Sequence, residues 1–450
     1  MAFLGEIEPV YSEDERGLAS RIAYEWGHSL AWSEEIGKWI VRREGESIWR
    51  ADVLVERTSK ALESAERHAE YADQPRFLRL SSQKEALEFA KPLLAVELSQ
   101  FDINPWALNT PSGLINLRSG EYVPNHLIRG KYMKCCAVSP ESMPTPLWDR
   151  HLQMMCKGDI EIIAFLKRLA GITLIGDQNQ KPHIAPQFNG LGRNGKGVFL
   201  QGLGWALGDY AQFARTRLLT TTENAHTTEQ AGLRGMRMVV VEEVKRINSS
   251  VLKDLTGGGT IRARHMYKDD IEFLKSWTLW FNNNGPMSFS GDQSDGLWQR
   301  VQRIDFGEGI PVNQRIYDMA EQIKGEAPGI LRWMLDGLRE FLELGDLAIP
   351  QSVLENSDIS RADADPLSAF LQERYERVEG EKVLGSDLVR NFSYWCKERE
   401  ERSGGLKFVY DALRSRFGLE VKPGAKNKTF VFGLKQRDVV SLDMNGSFYN

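Results

Sequence analysis

Two patterns of apolar and polar positions divide the chain. Apolar residues recur at the three- and four-residue spacing of a half-buried helix in residues 13–31, 51–73, 146–176 and 310–345, and as a helical pair in 82–99. From about residue 184 to residue 306, short apolar runs of strand length alternate with helical segments. That alternation is typical of an α/β fold, and we expect such a core in this part of the chain.

Turn-forming residues mark the other segments. Residues 38–49 predict a short hairpin whose tryptophans either form its own core or stack on bases, and residues 101–121 predict short strands with tight turns. Residues 350–365 are polar and predict a linker. Residues 366–437 predict three helices and then two strands, an order that suits a winged helix.

These patterns predict four units. They are a mainly helical domain with short strands (residues 1–150), an α/β core (151–310), a helical segment with a linker (311–365) and a winged-helix-like domain (366–450). A length of 450 residues agrees with several domains.

Composition narrows the class of protein. No apolar run reaches roughly 18 residues and no secretory signal is visible, so we expect a cytoplasmic protein that does not cross a membrane. The four cysteines lack Cys-x-x-Cys spacing and are expected to stay reduced. A net charge of -5 argues against a general coating protein for nucleic acid, but permits a local basic surface.

A glycine-rich segment at residues 189–197 carries the clearest candidate chemistry. It follows an apolar run and precedes a helical pattern, which is the setting of a phosphate-binding loop. Glycines let backbone amides surround a phosphate, the helix N-terminus adds partial positive charge, and Lys196 adds a full one. The residues expected to bind nucleotide are Gly190, Gly192, Asn194, Gly195, Lys196 and Gly197. A structural turn is the alternative, and Gly197 stands where a magnesium-holding Ser or Thr is expected.

A buried-strand pattern at residues 238–243 ends in two acids. In P-loop ATPases such a strand lies beside the phosphate loop, where its first acid orients Mg²⁺ and the second polarises the attacking water. Glu242 and Glu243 are the candidates for these roles. The alternative is a core strand that runs into an exposed acidic turn.

Basic residues surround three glycines in residues 253–268. The glycines permit a tight hairpin, from whose tip Arg262, Arg264, His265 and Lys268 would project. A basic hairpin with an aromatic residue suits a phosphodiester chain, and a solvated basic loop is the alternative.

Two polar residues complete the candidate set. Asn283 ends an apolar strand, where it either orients water near a γ-phosphate or only forms a turn. Arg300 lies beside a second arginine and, in a ring of subunits, is placed to reach a neighbour's γ-phosphate. A surface salt bridge is the alternative for Arg300.

Together these blocks resemble the superfamily 3 helicases, and more narrowly the primase–helicase ATPases of phages, plasmids and large DNA viruses. The family signature is a Gly-x-x-x-Asn-Gly-Lys loop, an acidic strand end, a Lys-x-Leu-Thr-Gly-Gly block, a strand closing in Asn-x-x-Pro and an arginine after a Trp. All five occur here in that order, within a resemblance that covers most of residues 20–350. Gly197 departs from the pattern, as does Asp305, which replaces the usual proline.

The resemblance implies an AAA+-like P-loop core that uses ATP and Mg²⁺. The implied roles are phosphate binding by Lys196, magnesium binding by Glu242, catalytic base for Glu243, sensor 1 for Asn283, arginine finger for Arg300, and DNA contact near the hairpin for Lys253, Arg264, His265 and Lys268. These residues would serve an ATP-driven DNA helicase that acts on single-stranded and duplex DNA as a homo-hexameric ring. Such a ring would unwind DNA during replication of a phage, plasmid or other mobile element in a bacterial host cytoplasm.

Other interpretations stay open. The N-terminal part is short for a primase domain, so we expect a primase or replication initiator on a separate chain. Because of Gly197, an ATP-binding DNA initiator or loader with little turnover is the alternative function, whereas a small-molecule kinase leaves Arg300 unexplained. Lys426 and Lys428 belong to a basic C-terminal segment that either contacts duplex DNA or solubilises a small domain.

Overall fold

The computed structural model describes residues 9–220, 227–244, 246–264, 270–285, 287–290, 294–307, 309–311, 313, 315–363, 366–399, 403, 405–424 and 428–437. The helices are α1 (Glu15–Trp26), α2 (Glu56–Ala72), α3 (Leu80–Leu93), α4 (Pro146–Met155), α5 (Ile160–Thr173), α6 (Lys196–Leu207), α7 (Arg217–Thr220), α8 (Thr227–Ala231), α9 (Ser249–Thr256), α10 (Asp295–Trp298), α11 (Met319–Lys324), α12 (Ala327–Leu344), α13 (Gln351–Asp363), α14 (Pro366–Arg374), α15 (Gly385–Glu398) and α16 (Leu406–Ser415).

The strands are short and fall into several sheets. They are β1 (Leu30–Ser33), β2 (Lys38–Arg42), β3 (Trp49–Ala51), β4 (Ala107–Asn109), β5 (Gly113–Asn116), β6 (Tyr122–Pro124), β7 (Ala185–Asn189), β8 (Ala211–Ala214), β9 (Met238–Glu242), β10 (Arg246–Asn248), β11 (Thr260–Arg264), β12 (Asp270–Leu274), β13 (Thr278–Asn282), β14 (Ser288–Ser290), β15 (Val301–Asp305), β16 (Tyr375–Leu384), β17 (Val421–Pro423) and β18 (Thr429–Gln436).

The N-terminal part packs α1, α2 and α3 beside an antiparallel sheet of β1, β2 and β3. Trp39 and Trp49 are buried, and Trp39 meets the ring of Trp32 edge-on with centroids 5.5 Å apart. The hairpin tryptophans therefore lie in the protein core. The segment predicted as a helical pair holds one α-helix, α3, followed by a 3₁₀ turn at Leu98–Gln100.

A parallel five-stranded sheet in the order β15-β7-β13-β9-β8 confirms the predicted α/β core. Alternate residues of each strand enter different apolar clusters, as Val240 and Val241 of β9 do. Helices including α5, α6 and α12 cover one face, and α9 with β11 and β12 covers the other. Burial on both faces explains why the central strands β9 and β13 read as nearly continuous apolar runs.

Two glycines allow α5 and α12 to approach at backbone distance. A Cβ added to Gly337 would lie 2.0 Å from Lys167 O, and one added to Gly171 would lie 2.2 Å from Leu338 N. Just before α12, the buried Glu326 carboxylate accepts hydrogen bonds from the Leu147 and Trp148 amides (3.0 and 2.8 Å). These amides begin α4, so Glu326 fixes α4 against the core.

The segment predicted as a linker is the helix α13. Its buried residues Val353, Ser357 and Ser360 recur at helical spacing and face β15, the edge strand of the sheet. The Arg303 amide donates to Ser357 Oγ (2.9 Å), and the Arg303 side chain donates to Ser360 Oγ (3.2 Å). The helix thus seals one edge of the sheet.

The C-terminal part has a core of its own, built from residues between Leu367 and Leu434. Its order is α14, β16, α15, α16, β17 and β18, with an antiparallel sheet β16-β18-β17. The strand β16 between the first two helices was not predicted. Across the described part of the chain, no helix has the length and apolarity needed to cross a bilayer. The four cysteines are buried, and none of them forms a disulfide.

Candidate functional site

Four polar residues form a row where parallel strands end at one edge of the sheet. Asn189 ends β7 and donates from Nδ2 to Asp305 Oδ1 at the end of β15 (2.8 Å). Asn282 ends β13 and donates from Nδ2 to Glu242 Oε1 at the end of β9 (2.8 Å). The carboxyl edge of the sheet therefore offers two carboxylates, each oriented by an amide.

The same two amides leave oxygen atoms unused. Oδ1 of Asn189 and Oδ1 of Asn282 are buried without a hydrogen-bond partner among the residues that the structure describes. A buried amide oxygen without a partner is unfavourable unless a ligand or water reaches it. Carboxylate and amide oxygens together are the donor set that Mg²⁺ prefers, so the residues present fit this ion.

The glycine-rich loop begins directly after β7 and is shaped by its neighbours. Gly190 has φ +146° and Gly195 has φ +94°, and a Cβ on Gly190 would lie 2.0 Å from Phe306 O. The Asn194 side chain donates to the carbonyls of Phe306 and Gly307 (3.3 and 3.4 Å). Asn194 thus ties the loop to the end of β15 and is buried by doing so.

Lys196 is the first residue of α6 and lies against the loop. Its Nζ donates to Gly190 O (2.6 Å) and to Asn284 Oδ1 (3.3 Å), and only 3% of the residue is exposed. Burial lowers the pKa of Lys196 to about 8, while the nearby Asp305 carboxylate acts in the opposite direction. The ammonium is therefore mostly charged at neutral pH.

Open space surrounds two other loop glycines. A Cβ on Gly192 or Gly197 would meet no atom within 4 Å. Crowding therefore does not explain why Gly197 replaces the Ser or Thr of the family pattern.

Two acids, one at the end of β9 and one directly after it, differ in backbone conformation. Glu242 is exposed and bonded to Asn282 as described. Glu243 is also exposed, adopts a left-handed φ of +56°, and its amide donates to Asn282 O (2.8 Å). A positive φ is uncommon for a glutamate and often marks a functional position.

Asn283 is placed differently from its prediction. Its Oδ1 accepts from Val244 N (3.0 Å) and its Nδ2 donates to Val244 O (2.9 Å), with 2% of the residue exposed. Its amide therefore holds the segment that follows β9. The neighbours Asn282 and Asn284 are the ones that contact Glu242 and Lys196.

Arg300 lies at the opposite end of the parallel strands, where β7 and β15 begin. Its carbonyl accepts from Ala185 N (2.7 Å), which places it before the first residue of β15, whereas the loop follows the last residue of β7. The two ends of the strands are about 16 Å apart, because each of the five strand residues adds about 3.3 Å. The guanidinium donates to Lys253 O (2.6 Å) and Thr256 Oγ1 (3.0 Å), and burial lowers its pKa.

The predicted basic hairpin is formed by β11 and β12. Arg264 is paired with Asp270 (3.8 Å) and Arg262 with Glu272 (3.3 Å) across the two strands. The glycines at 257–259 precede β11 and lie at the base of the hairpin instead of its tip. Residues 265–269, including the predicted His265 and Lys268, lie outside the described residues.

The other residues predicted to contact DNA lie outside the β11–β12 hairpin. Lys253 in α9 donates from Nζ to Ser294 Oγ (2.8 Å). Lys428 is exposed between β17 and β18, and its carbonyl accepts from Gly424 N (2.7 Å). Lys426 lies outside the described residues.

Comparisons with known proteins match two parts of the chain. Residues 19–157 match the family described as D5 N terminal like, and residues 188–301 match a family of unknown function, DUF5906. A candidate helicase of Acanthamoeba polyphaga mimivirus is 28% identical over 233 residues, which are 46% of this chain. The match spans only 24% of that relative. Two apo A-form structures of the NrS-1 C-terminal region align at TM-score 0.49, with 10% and 12% identity, covering 94% and 93% of this chain and 100% of theirs.

Sequence reasoning missed four polar residues at the loop edge. They are Asn189, Asn282, Asn284 and Asp305. Three consecutive asparagines at the end of β13 indicated a polar site, but the sequence did not indicate which of them faces the loop. Asp305 was visible only as a departure from the family pattern.

Proposed function

We propose that the chain is an ATP-dependent DNA helicase of the superfamily 3 type that acts as a ring in replication of a virus, phage or other mobile element. Support comes from the similarity to a candidate helicase of a large DNA virus and from the match of residues 19–157 to the D5 N terminal like family. The chemical argument for ATP hydrolysis comes from the polar side chains that lie at the carboxyl ends of the parallel strands, beside the glycine-rich loop.

The observation that carries the proposal is the separation of Lys196 from Arg300. Lys196 follows the loop at the carboxyl end of β7 and Arg300 directly precedes β15, so they lie at opposite ends of two paired parallel strands, about 16 Å apart along the strands. An arginine at that distance does not reach the phosphate bound by its own chain. A second copy, packed with its loop against this edge, would receive Arg300 at its γ-phosphate.

The order of strands supports an AAA+-like core. The strand β13, which leads into Asn282 and Asn284, lies between the loop strand β7 and the acidic strand β9. In this arrangement the loop amides and Lys196 hold the phosphates of ATP, the substrate. Glu242 would hold Mg²⁺, with the free oxygen of Asn282 beside it, and Glu243 would take the proton of the attacking water. When bound, Mg²⁺ neutralises phosphate charge.

Two surfaces would contact DNA. The arginines of the β11–β12 hairpin are exposed, and their exposed ion pairs are weak enough for phosphates to compete. The C-terminal order of helix, strand, helix, helix, strand and strand suits a winged helix, with Lys428 on the loop between the last two strands. Both contacts would weaken as salt rises.

Mixing two inactive variants tests the shared site. Lys196→Ala removes the phosphate ligand and Arg300→Ala removes the finger, so each alone should lose at least about 90% of DNA-stimulated ATP hydrolysis. In a one-to-one mixture, a subunit with Lys196 meets a neighbour with Arg300 at about a quarter of random interfaces. Phosphate release should therefore recover in the mixture.

The control is the double variant Lys196→Ala/Arg300→Ala, which should rescue neither single variant. Purification of the mixture through one of two different tags, with detection of the other tag in the eluate, establishes that the subunits have exchanged. An exchanged mixture of the two single variants without recovery contradicts a shared site.

A second candidate, an ATP-binding initiator or loader with little turnover, is favoured by Gly197, since the loop lacks a hydroxyl for the metal. This candidate predicts nucleotide-dependent assembly on DNA with negligible phosphate release. The two functions are separated by measuring both quantities on one wild-type preparation.

A further inference from the structure

A buried histidine of the helix α4 touches the glycine loop. His151 lies in α4, 1% exposed, and its Nε2 is 3.1 Å from Gly195 O. A Cβ on Gly195 would lie 2.6 Å from His151 Cε1. The ring thus packs directly against the residue before Lys196, and no motif of the sequence included it.

The surroundings of the ring decide which nitrogen carries the proton. Burial lowers the pKa of His151 to about 4, so the ring is neutral at physiological pH and has one N–H. Its Nδ1 is buried and has no partner among the described residues. A carbonyl oxygen only accepts, so the proton belongs on Nε2 and the ring donates to Gly195 O.

This hydrogen bond fixes one peptide plane of the loop. The carbonyl of Gly195 and the amide of Lys196 lie in the same plane and point in opposite directions. Gly195 O also accepts from Phe199 N (3.1 Å), the first backbone bond of α6. With two donors on Gly195 O, the Lys196 N–H is turned away from His151 and toward the loop interior.

The element that carries His151 is itself anchored. The Glu326 carboxylate caps the α4 amides of Leu147 and Trp148, and the Trp148 ring stacks on Phe199 of α6 with centroids 5.2 Å apart. The histidine is therefore presented to the loop by a fixed helix. This is what a positioning group requires.

We propose that His151 is a positioning residue for nucleotide: it holds the Gly195–Lys196 peptide so that the Lys196 amide faces the phosphates of a nucleoside di- or triphosphate. The inference rests on the proposed function, because it assumes that the loop binds nucleotide. It assigns part of the phosphate site to the N-terminal side of the chain, outside the loop motif.

Substitutions that keep or remove the donor test this role in the full chain. His151→Leu removes the N–H and should weaken binding of fluorescent ADP by about tenfold. His151→Gln places an N–H at the same reach and should stay within about threefold of wild type. Because the bond exists in ground state and transition state alike, KM for ATP should rise in His151→Leu with kcat little changed.

Matched controls separate positioning from folding. His68 is equally buried, but in the N-terminal core, so His68→Leu should leave ADP affinity unchanged. If His151→Leu does not fold, His151→Asn replaces it, because its shorter amide does not reach Gly195 O and should bind ADP more weakly than His151→Gln. Wild-type affinity in His151→Leu, or equal affinity in His151→Asn and His151→Gln, overturns the inference alone. A wild-type chain that binds no ADP overturns the proposed function as well.

Discussion

The chemistry of Lys196 depends on its surroundings. Loss of solvent on burial disfavours its charge and lowers its pKa to about 8, even though Gly190 O and Asn284 Oδ1 accept hydrogen bonds from the ammonium. A nucleotide phosphate would favour the charged form. The protonation of one side chain is therefore linked to nucleotide binding in a pH range that is easy to reach.

We expect nucleotide affinity to depend on pH in one direction. Below about pH 8 the Lys196 side chain of the free protein is already charged, so the dissociation constant for ADP should change little with pH in that range. Above that pH a proton must be taken up on binding, and affinity should fall by up to about tenfold per pH unit. Binding of fluorescent ADP between about pH 7 and pH 9.5 measures this.

Lys196→Arg is the matched variant, since a guanidinium stays charged throughout this range. Its affinity should vary much less with pH, even if its absolute value is lower. A wild-type affinity that is flat up to about pH 9.5 contradicts the shifted titration.

At this scale, local pattern predicted the elements that carry two candidate residues. Lys196 begins the helix α6 and Glu242 ends the buried strand β9, while their roles stay predictions. Asn284, Asp305 and His151 were missed because their contacts cross between elements. No local spacing encodes that His151 in α4 meets Gly195.

Among the elements, the crossing of α5 and α12 is sensitive to added atoms. Gly171 and Gly337 leave no room for a methyl group against the opposing backbone. Since backbone atoms do not move aside as flexible side chains do, a Cβ there must push the helices apart.

Gly337→Ala should therefore destabilise the protein by about 1–3 kcal/mol, although alanine is the better helix former. Gly296→Ala in α10 is the control, because a Cβ there meets nothing within 4 Å and should be neutral or slightly stabilising. Urea unfolding of both variants gives the comparison. Equal midpoints for Gly337→Ala and wild type would show that the helices can separate freely.

Elements with an apolar face were predictable, and those without one were not. Two of the buried positions of helix α13 are occupied by serines, Ser357 and Ser360. The helical period therefore does not appear in the pattern of apolar residues. The strand β16 is mostly exposed and lacks clean alternation. The glycines at 257–259 suggested a turn, but the chain reverses beyond Arg264.

For the whole molecule, separate apolar cores imply separate cooperativity. The C-terminal core draws only on residues between Leu367 and Leu434, whereas the clusters on the central sheet run from Leu108 to Val353. Units with their own cores often unfold in distinct steps.

Calorimetry should therefore show more than one unfolding transition, and Mg²⁺-ADP should shift only the transition of the central sheet. At a hundredfold excess over the dissociation constant, the expected stabilisation is about 2.7 kcal/mol. A Lys196→Ala chain provides the control, because its transitions should not respond to ADP. A single transition that moves as a whole contradicts independent units.

The helix α13 also limits how copies of the chain can meet. With Ser357 already accepting the outward amide of Arg303, strand β15 offers no free edge there to a strand from another molecule. In the proposed ring, a neighbouring subunit would therefore touch this side through side chains instead of a shared sheet. Side-chain contacts of that kind would let subunits tilt and slide during ATP hydrolysis, whereas backbone hydrogen bonds across a continuous sheet would hold them in place.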